Sequence, residues 1–403
     1  MSAGLHRIFY AGGAVFVFSL AIRLGWQALI PPVQWPDSAT YLADGDNLFL
    51  HGHTLSFVSM PLYPIFLHVF GAFGPGGALT AQAVVSALSV VLAAWLAWRV
   101  IGSWTAAAIT AAAMAVYPVL LFYANAMLTE TLFTFLLLAA VAAWWERRWI
   151  TGSVFLVLSI LTRPALDMVA PLLLLSVCLA HRERLTVALT GRRLGTYATV
   201  YFLLMAPWWI HNYGMYHQFV RLNLGDGITV RLENNPTFDR VGLDFPALLP
   251  SLAEDARPFP DPVEANAALK AAAWHYVTGN PGHYLERCID RLGRFWTPVP
   301  GSSKPAINLL SFAVTIPIFL GALGYLLRSD GARWRRVAPM VLLILYLTAV
   351  HTVTHALYRY RLPIEPFLII LASGWYADLL RGLPGLGRRG AADLPDREKG
   401  LAT

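Results

Sequence analysis

The strongest constraint on this chain is a succession of apolar runs separated by short links rich in arginine. Each run is close to the roughly 20 residues that a helix needs to cross a bilayer. Lipid offers no partners to backbone N–H and C=O groups, so only helices or a closed barrel can span it. No alternating strand pattern supports a barrel. Of the 403 residues, 57% are hydrophobic and 13% charged, about half the charged share of an ordinary soluble domain. The fold class left is an all-α polytopic membrane protein. The opening MSAGLHRIFYAGGAVFVFSLAIRLGW has too long an apolar run for a signal peptide, and no small-residue cleavage site follows it. It reads as the first transmembrane helix.

The pattern predicts helices at about 8–30, 78–99, 104–122, 127–146, 150–162, 165–181, 195–212, 306–327, 337–355 and 363–380. The segment PLYPIFLHVFGAF at 61–73 is too short to span and reads as re-entrant or interfacial. Orientation follows from the arginines, which favour the cytoplasmic side. With Arg7 and the N-terminus inside, Arg99, ERR at 146–148, HRER and GRR within 181–193, RSDGARWRR at 328–336, and Arg381, Arg388 and Arg389 all become cytoplasmic. The opposite side then holds the 31–77 loop, Asn125 to Glu130, Arg163, the 213–305 segment and ALYRYR at 356–361. The expected organisation is a transmembrane region over 1–212 with a catalytic first outer loop at 31–77. An extracytoplasmic insertion at 213–305, closing transmembrane helices at 306–381 and a cytoplasmic tail at 382–403 follow.

The net charge of +7 does not point to nucleic acid. Only Lys270, Lys304 and Lys399 are lysines among 30 basic residues, and most arginines lie between apolar segments, where topology accounts for them. Cys178 and Cys288 fall on opposite sides, so no disulfide is expected. Within the insertion, PGHYLERCIDRLGRFW places Tyr284, Leu285, Cys288, Ile289, Leu292, Phe295 and Trp296 on one helical face. Trp274 and Trp296 suit an interfacial belt, and the insertion is expected to lie over the membrane region.

The informative residues are polar ones where polarity is costly. Asp37, just past the first span, is either a candidate base or, with Ser38, an N-cap for a flat interfacial helix with Tyr41, Leu42, Leu48 and Phe49 on its apolar stripe. Glu130 opens an apolar helix; the macrodipole accommodates a carboxylate there, and so does a polar cavity. Arg163, Arg359 and Arg361 lie on the side that positive charge avoids. They are candidates either for gripping phosphate through paired donors or for anchoring among headgroups. His351 and His355 have a metal-ligand spacing, but no HExxH motif accompanies them, and polar contacts in a cavity wall fit them better. A carboxylate, a second carboxylate and several arginines at one water boundary would suit a substrate with an apolar tail, a phosphate and a polar head.

In chain order, Asp37 in the first outer loop, PLYPIFLHVFGAFG, LTETLFTFLLLAA, LTRP, APWWIHNY, LENNP, NPGHYLERCIDRLGRFWTP and RYRLPIEPFLIILAS together look like the GT-C superfamily of membrane glycosyltransferases. The nearest branch is the bacterial family-39-like group related to protein O-mannosyltransferases and lipid A aminoarabinose transferases. The resemblance spans nearly the whole chain, and the order and sidedness of the motifs carry it. It implies a GT-C-type bundle of about ten transmembrane helices, with interfacial helices in the first outer loop and a small extracytoplasmic insertion. It also implies a polyprenyl-phosphate sugar donor and inverting transfer at the extracytoplasmic face of the plasma membrane. The acceptor would be a glycan, lipid or protein of the cell envelope.

The resemblance assigns Asp37 to the acceptor hydroxyl, as base or orienting group. It matches the family's arginine near the last helices to Arg359 or Arg361, and its glutamate at an outer helix end to Glu130. Tyr41, Tyr63 and Asn212 join Glu130, Arg163, Arg359 and Arg361 as the candidate substrate-binding set. Family members often carry an acidic pair in the first loop. Here Ser38 follows Asp37, with Asp44 and Asp46 further on, which weakens a metal-dependent mechanism. No cofactor is called for, and a divalent metal is open but not indicated. Two alternatives remain on the sequence alone: a glycan ligase using a lipid diphosphate, and a lipid or solute transporter. Transporters usually show matching halves and broken helices near midplane, whereas here the polar residues cluster at one face and the halves do not match.

Overall fold

The computed structural model describes residues 3–382, except 75 and 182–185. The basic positions Arg182, Arg184, Arg388, Arg389 and Lys399, the side chain of Arg7, and the tail beyond Gly382 lie outside the described residues. The helices run in the order α1 (Ala3–Leu29), α2 (Pro36–His51), α3 (Leu62–Gly71), α4 (Gly77–Ile101), α5 (Trp104–Val116), α6 (Pro118–Ala124), α7 (Glu130–Trp145) and α8 (Trp149–Thr162). After a 3₁₀ turn at Pro164–Leu166 come α9 (Ala170–Ala180) and α10 (Val187–Tyr216). Next are α11 (Asp226–Leu232), α12 (Pro236–Val241), α13 (Phe245–Ala256), α14 (Pro262–Gly279) and α15 (Pro281–Trp296). The chain then forms α16 (Pro305–Arg328), α17 (Gly331–Val353), a second 3₁₀ turn at Tyr358–Ile364, and α18 (Glu365–Gly382). Among the described residues the one β-contact is an isolated bridge between Val33 and Ala126. The protein is an all-α polytopic membrane protein.

Helices occur at each of the ten predicted positions, but not all are full spans. Four are long and apolar enough to cross by themselves: Tyr10–Leu29, Gly77–Ile101, Pro305–Arg328 and Gly331–Val353. The predicted 104–122 helix is broken at Tyr117 into α5 and α6, bent by 54°, and as a pair they supply a fifth. Pro118 causes the break, because it has no N–H to return to Met114 and its ring disfavours helix in the residue before it. The orphaned carbonyl is met by Arg23 of α1, whose Nη2 donates to Met114 O at 3.3 Å while its Nε donates to Ser86 Oγ at 2.7 Å. Arg23 is only 1% exposed, and such an arginine inside an apolar bundle is tolerated because all its partners face inward.

The shorter α7 would measure about 24 Å at the helical rise. It need not match the bilayer, because Leu132, Phe133, Leu137, Ala140, Val141 and Trp144 and most of its other residues are buried in the bundle. A helix apolar all round belongs in such a core. Small residues let neighbours approach closely: a Cβ on Gly321 would lie 2.9 Å from Ala372 of α18, and one on Gly374 would lie 2.6 Å from the Tyr325 ring.

One large apolar core runs through α4, α5, α7–α9 and α16–α18. The insertion has a small core of its own around Leu232, Phe238, Leu248, Leu252 and Leu269. It is tied to the loop between α2 and α3 and to the end of α17. Leu224 N donates to Phe57 O at 2.8 Å, Tyr284 OH donates to Val353 O at 3.1 Å, and Arg291 Nη1 donates to the same carbonyl at 3.3 Å. The face of α15 read from its apolar residues is only partly buried. Leu285, Ile289 and Leu292 are exposed, whereas Arg291 and Phe295 take the interior. The interior position follows from Arg291's need for a buried partner, described below.

Candidate functional site

The chain enters α2 through Pro36, which suits a first helical turn. Asp37 makes no capping bond. Its Oδ2 accepts a hydrogen bond from Arg359 Nη2 at 2.6 Å, across 322 residues of sequence. Ser38 instead fixes the turn, accepting from Trp35 N at 3.3 Å and donating to Met127 O at 3.0 Å. The 124–129 link that presents Glu130 is therefore tied directly to the residue beside Asp37. A second tie comes from Gln82 of α4, which donates to Ala126 O at 2.6 Å and accepts from Tyr63 OH at 2.8 Å.

Glu130, at the start of α7, is almost fully buried and lies 2.7 Å from Arg163 Nη1 and 3.7 Å from Arg359 Nε. Four of the predicted residues thus converge: two carboxylates, Asp37 and Glu130, and two guanidiniums, Arg163 and Arg359. Arg359 lies over the Trp35 and Tyr360 rings at 5.3 and 5.5 Å, and Arg163 over Tyr360 at 4.9 Å. Burial would lower the proton affinity of Arg359, but Glu130, the Tyr360 hydroxyl and Asp37 outweigh it and raise it above the ordinary guanidinium value. The cation is therefore permanent. Tyr41 packs edge-on against Tyr63 at 5.3 Å. Burial, with the charges of Glu130 and Asp37, pushes the Tyr41 phenol well above its usual range, so it stays a neutral donor.

Two predicted residues stand apart from this cluster. Arg361 is fully buried, paired with Glu365 at 2.6 Å, and donates from Nη1 to Phe295 O at 2.8 Å and Thr297 O at 2.6 Å. The 3₁₀ turn sends Arg359 and Arg361 to different sides, so they do not form one paired grip. Asn212 donates to Val220 O at 2.9 Å and Leu222 O at 3.1 Å, closing the loop after α10.

Arg359 also lines a cavity of about 1050 Å³ whose walls include Trp35, Phe122, Tyr123, Phe245, Ile289, Thr297, Tyr358 and Arg294. The lining is largely aromatic and apolar, with two guanidiniums against the one carboxylate of Asp290, a balance that suits an anion with an apolar tail. Arg294 belongs to a network that sequence reasoning missed. Glu233, fully buried, is bonded by Arg291 at 3.2 Å and also by Arg294 and His355. Burial would raise the Glu233 carboxyl, but the bond from His355 and the charges of His355, Arg294 and Arg291 hold it down to about 2. The signal was present, since Arg287, Arg291 and Arg294 recur at helical spacing along α15. The apolar stripe drew the reading instead. His351 stacks on Tyr360 and its Nδ1 lies 3.1 Å from His355 O, so both histidines have structural partners. Among the described residues, no three His, Cys, Asp or Glu side chains converge as a metal cluster would require.

No family model matches the chain, and no curated protein does. Among solved structures, the chain is similar to ArnT from Cupriavidus metallidurans bound to undecaprenyl phosphate, at 15% identity over 94% of this chain and 79% of that chain, with a TM-score of 0.42. It is also similar to the apo state of the same protein, at 18% identity over 91% and 76% of the two chains, with a TM-score of 0.41. A likeness this loose assigns no residue here a role.

Proposed function

We propose that this protein transfers a sugar from a polyprenyl-phosphate donor to a cell-envelope glycan, lipid or protein, with inversion, on the extracytoplasmic face of the plasma membrane. The observation that carries the reading is the pairing of Asp37 with Arg359 beside a large aromatic cavity. In this reading the donor's phosphate lies against Arg359 and its lipid tail runs along the apolar walls. The acceptor oxygen attacks the anomeric carbon opposite the phosphate and gives its proton to Asp37. The bond from that carbon to the phosphate oxygen breaks, and the electron pair leaves with the phosphate. A phosphate leaves as a stable anion, so the site needs a fixed cation more than a strong acid. Arg359 supplies that cation, while Glu130 and Arg163 hold it in place. Both termini lie on the cytoplasmic side in this reading.

The test uses purified protein in nanodiscs with polyprenyl-monophosphate sugars and an envelope glycan or lipid fraction, with product followed by mass spectrometry. Wild type should form product of inverted anomeric configuration. Asp37→Asn should lower the rate by about 10²–10⁴-fold, the usual contribution of a general base. Transfer by Asp37→Asn at the wild-type rate would refute the role of Asp37. Arg294, a second guanidinium in the same wall, favours one other reading: a ligase that takes a lipid diphosphate. Product from diphosphate donors and none from monophosphates would select it.

A further inference from the structure

We propose that the Asp37–Arg359 ion pair is a latch: the donor's phosphate must displace Asp37 from Arg359 before Asp37 can act as a base, so the donor binds first. The inference rests on the reading of the site as a transferase using a lipid-phosphate donor. The two partners are held very differently. Arg359 is fixed, with its guanidinium against the Trp35 and Tyr360 rings and beside Glu130, which is itself pinned by Arg163. The Asp37 side chain is 42% exposed, against 12% for Arg359. Among the described residues, Arg359 is the only hydrogen-bond and ion-pair partner of its carboxylate.

Asp37 can therefore leave by side-chain rotation alone. Ser38 keeps the backbone of the same turn anchored to Met127. While Asp37 Oδ2 accepts from Arg359, that lone pair is occupied and cannot receive an acceptor's proton. An Nη2 that already faces a carboxylate at 2.6 Å cannot also meet a phosphate oxygen along the same direction. The two anions thus compete for one cation. No covalent bond changes in this step; one oxyanion replaces another as the partner of Arg359. In the empty site the carboxylate is therefore held at Arg359, and seating a donor releases it toward the acceptor.

The test is the binding of radiolabelled, sugar-free polyprenyl phosphate to purified protein in micelles. If Asp37 competes for Arg359, Asp37→Asn and Asp37→Ser should bind it about three- to tenfold more tightly than wild type, because the competent fraction rises. Arg359→Ala should lose the binding. Equal or weaker binding by both Asp37 variants would overturn the latch and leave the transferase reading intact, because product formation tests that separately. Failure of wild type to bind the lipid phosphate would overturn both. A second measurement needs no variant: labelling of Asp37 in wild type by a carbodiimide and an amine, read by mass spectrometry of the peptide. The lipid phosphate should accelerate this labelling several-fold, and an unchanged or slower rate would overturn the latch.

Discussion

Arg361 and Glu365 form an ion pair at 2.6 Å, one helical turn apart, with neither side chain more than 1% exposed. Two residues earlier, Arg359 faces the cavity. The two arginines therefore separate in their expected behaviour. Arg361→Ala leaves a buried carboxylate uncompensated and unties the end of α15, which should destabilise the fold by about 3–5 kcal/mol. Arg359→Ala should unfold nearer the wild-type temperature yet lose donor affinity. Thermal unfolding in detergent, run beside lipid-phosphate binding, separates these outcomes. Normal stability with lost donor binding in Arg361→Ala would move the anion grip from Arg359 to Arg361.

The Glu233 network makes a prediction about pH. Glu233 titrates near 2 in the folded protein, against an ordinary value of 4.5. A depressed carboxylate contributes stability that is complete above its unfolded value and is lost as pH falls through its folded value. The stability gap between wild type and Glu233→Gln should therefore be constant above about pH 5 and close between about 4.5 and 2. Its size should be on the order of 3 kcal/mol. Denaturant titrations at a series of acid pH values measure the gap, and a gap that does not shrink over that window would show that the Glu233 charge is not what holds α15 to the loop before α12.

Gly152 of α8 is required by its neighbour. A Cβ there would lie 2.1 Å from Trp144 Cδ1 and 2.6 Å from Nε1. Trp144 is fully buried and donates from Nε1 to Trp149 O at 3.1 Å, so its ring has nowhere to go. Gly152→Ala should cost about 1–3 kcal/mol or more by overpacking, although alanine is the better helix former. A variant that melts at or above the wild-type temperature would contradict this packing.

These contrasts mark what the sequence could and could not reveal. Helix positions were legible because each apolar run must satisfy its backbone in lipid, and arginine sidedness grouped the polar residues between the runs. That logic brought Asp37, Glu130, Arg163 and Arg359 to one boundary before any coordinates. It could not distinguish Arg359 from Arg361, because their directions depend on the phase of a 3₁₀ turn that ends at a proline-containing junction. Asn212 reads like a recognition residue in the APWWIHNY motif, but its amide closes a loop through two backbone carbonyls, a demand set by tertiary structure. Along α15 an apolar stripe and an arginine stripe compete, and a buried carboxylate 58 residues earlier decides between them.

Gln82 makes the last prediction, which concerns a residue that touches no proposed substrate. Its amide donates to the carbonyls of Tyr123 at 3.1 Å, Ala124 at 3.2 Å and Ala126 at 2.6 Å, and its Oε1 accepts from Tyr63 OH. Gln82 and Tyr63 are both fully buried, so no water replaces a lost partner. Gln82→Leu leaves the buried Tyr63 hydroxyl without its acceptor and removes the side-chain tie between α4 and the link that presents Glu130. It should destabilise by about 1–3 kcal/mol and lower donor affinity by shifting Glu130 and, through it, Arg359. Tyr63→Phe orphans one acceptor and leaves the three carbonyl contacts, so its effect on both quantities should be smaller. Measuring melting temperature and lipid-phosphate binding on both variants tests the order. If Tyr63→Phe proves the more damaging, the phenol itself, and not the Gln82 tie to the 124–129 link, sets the geometry of the charge cluster.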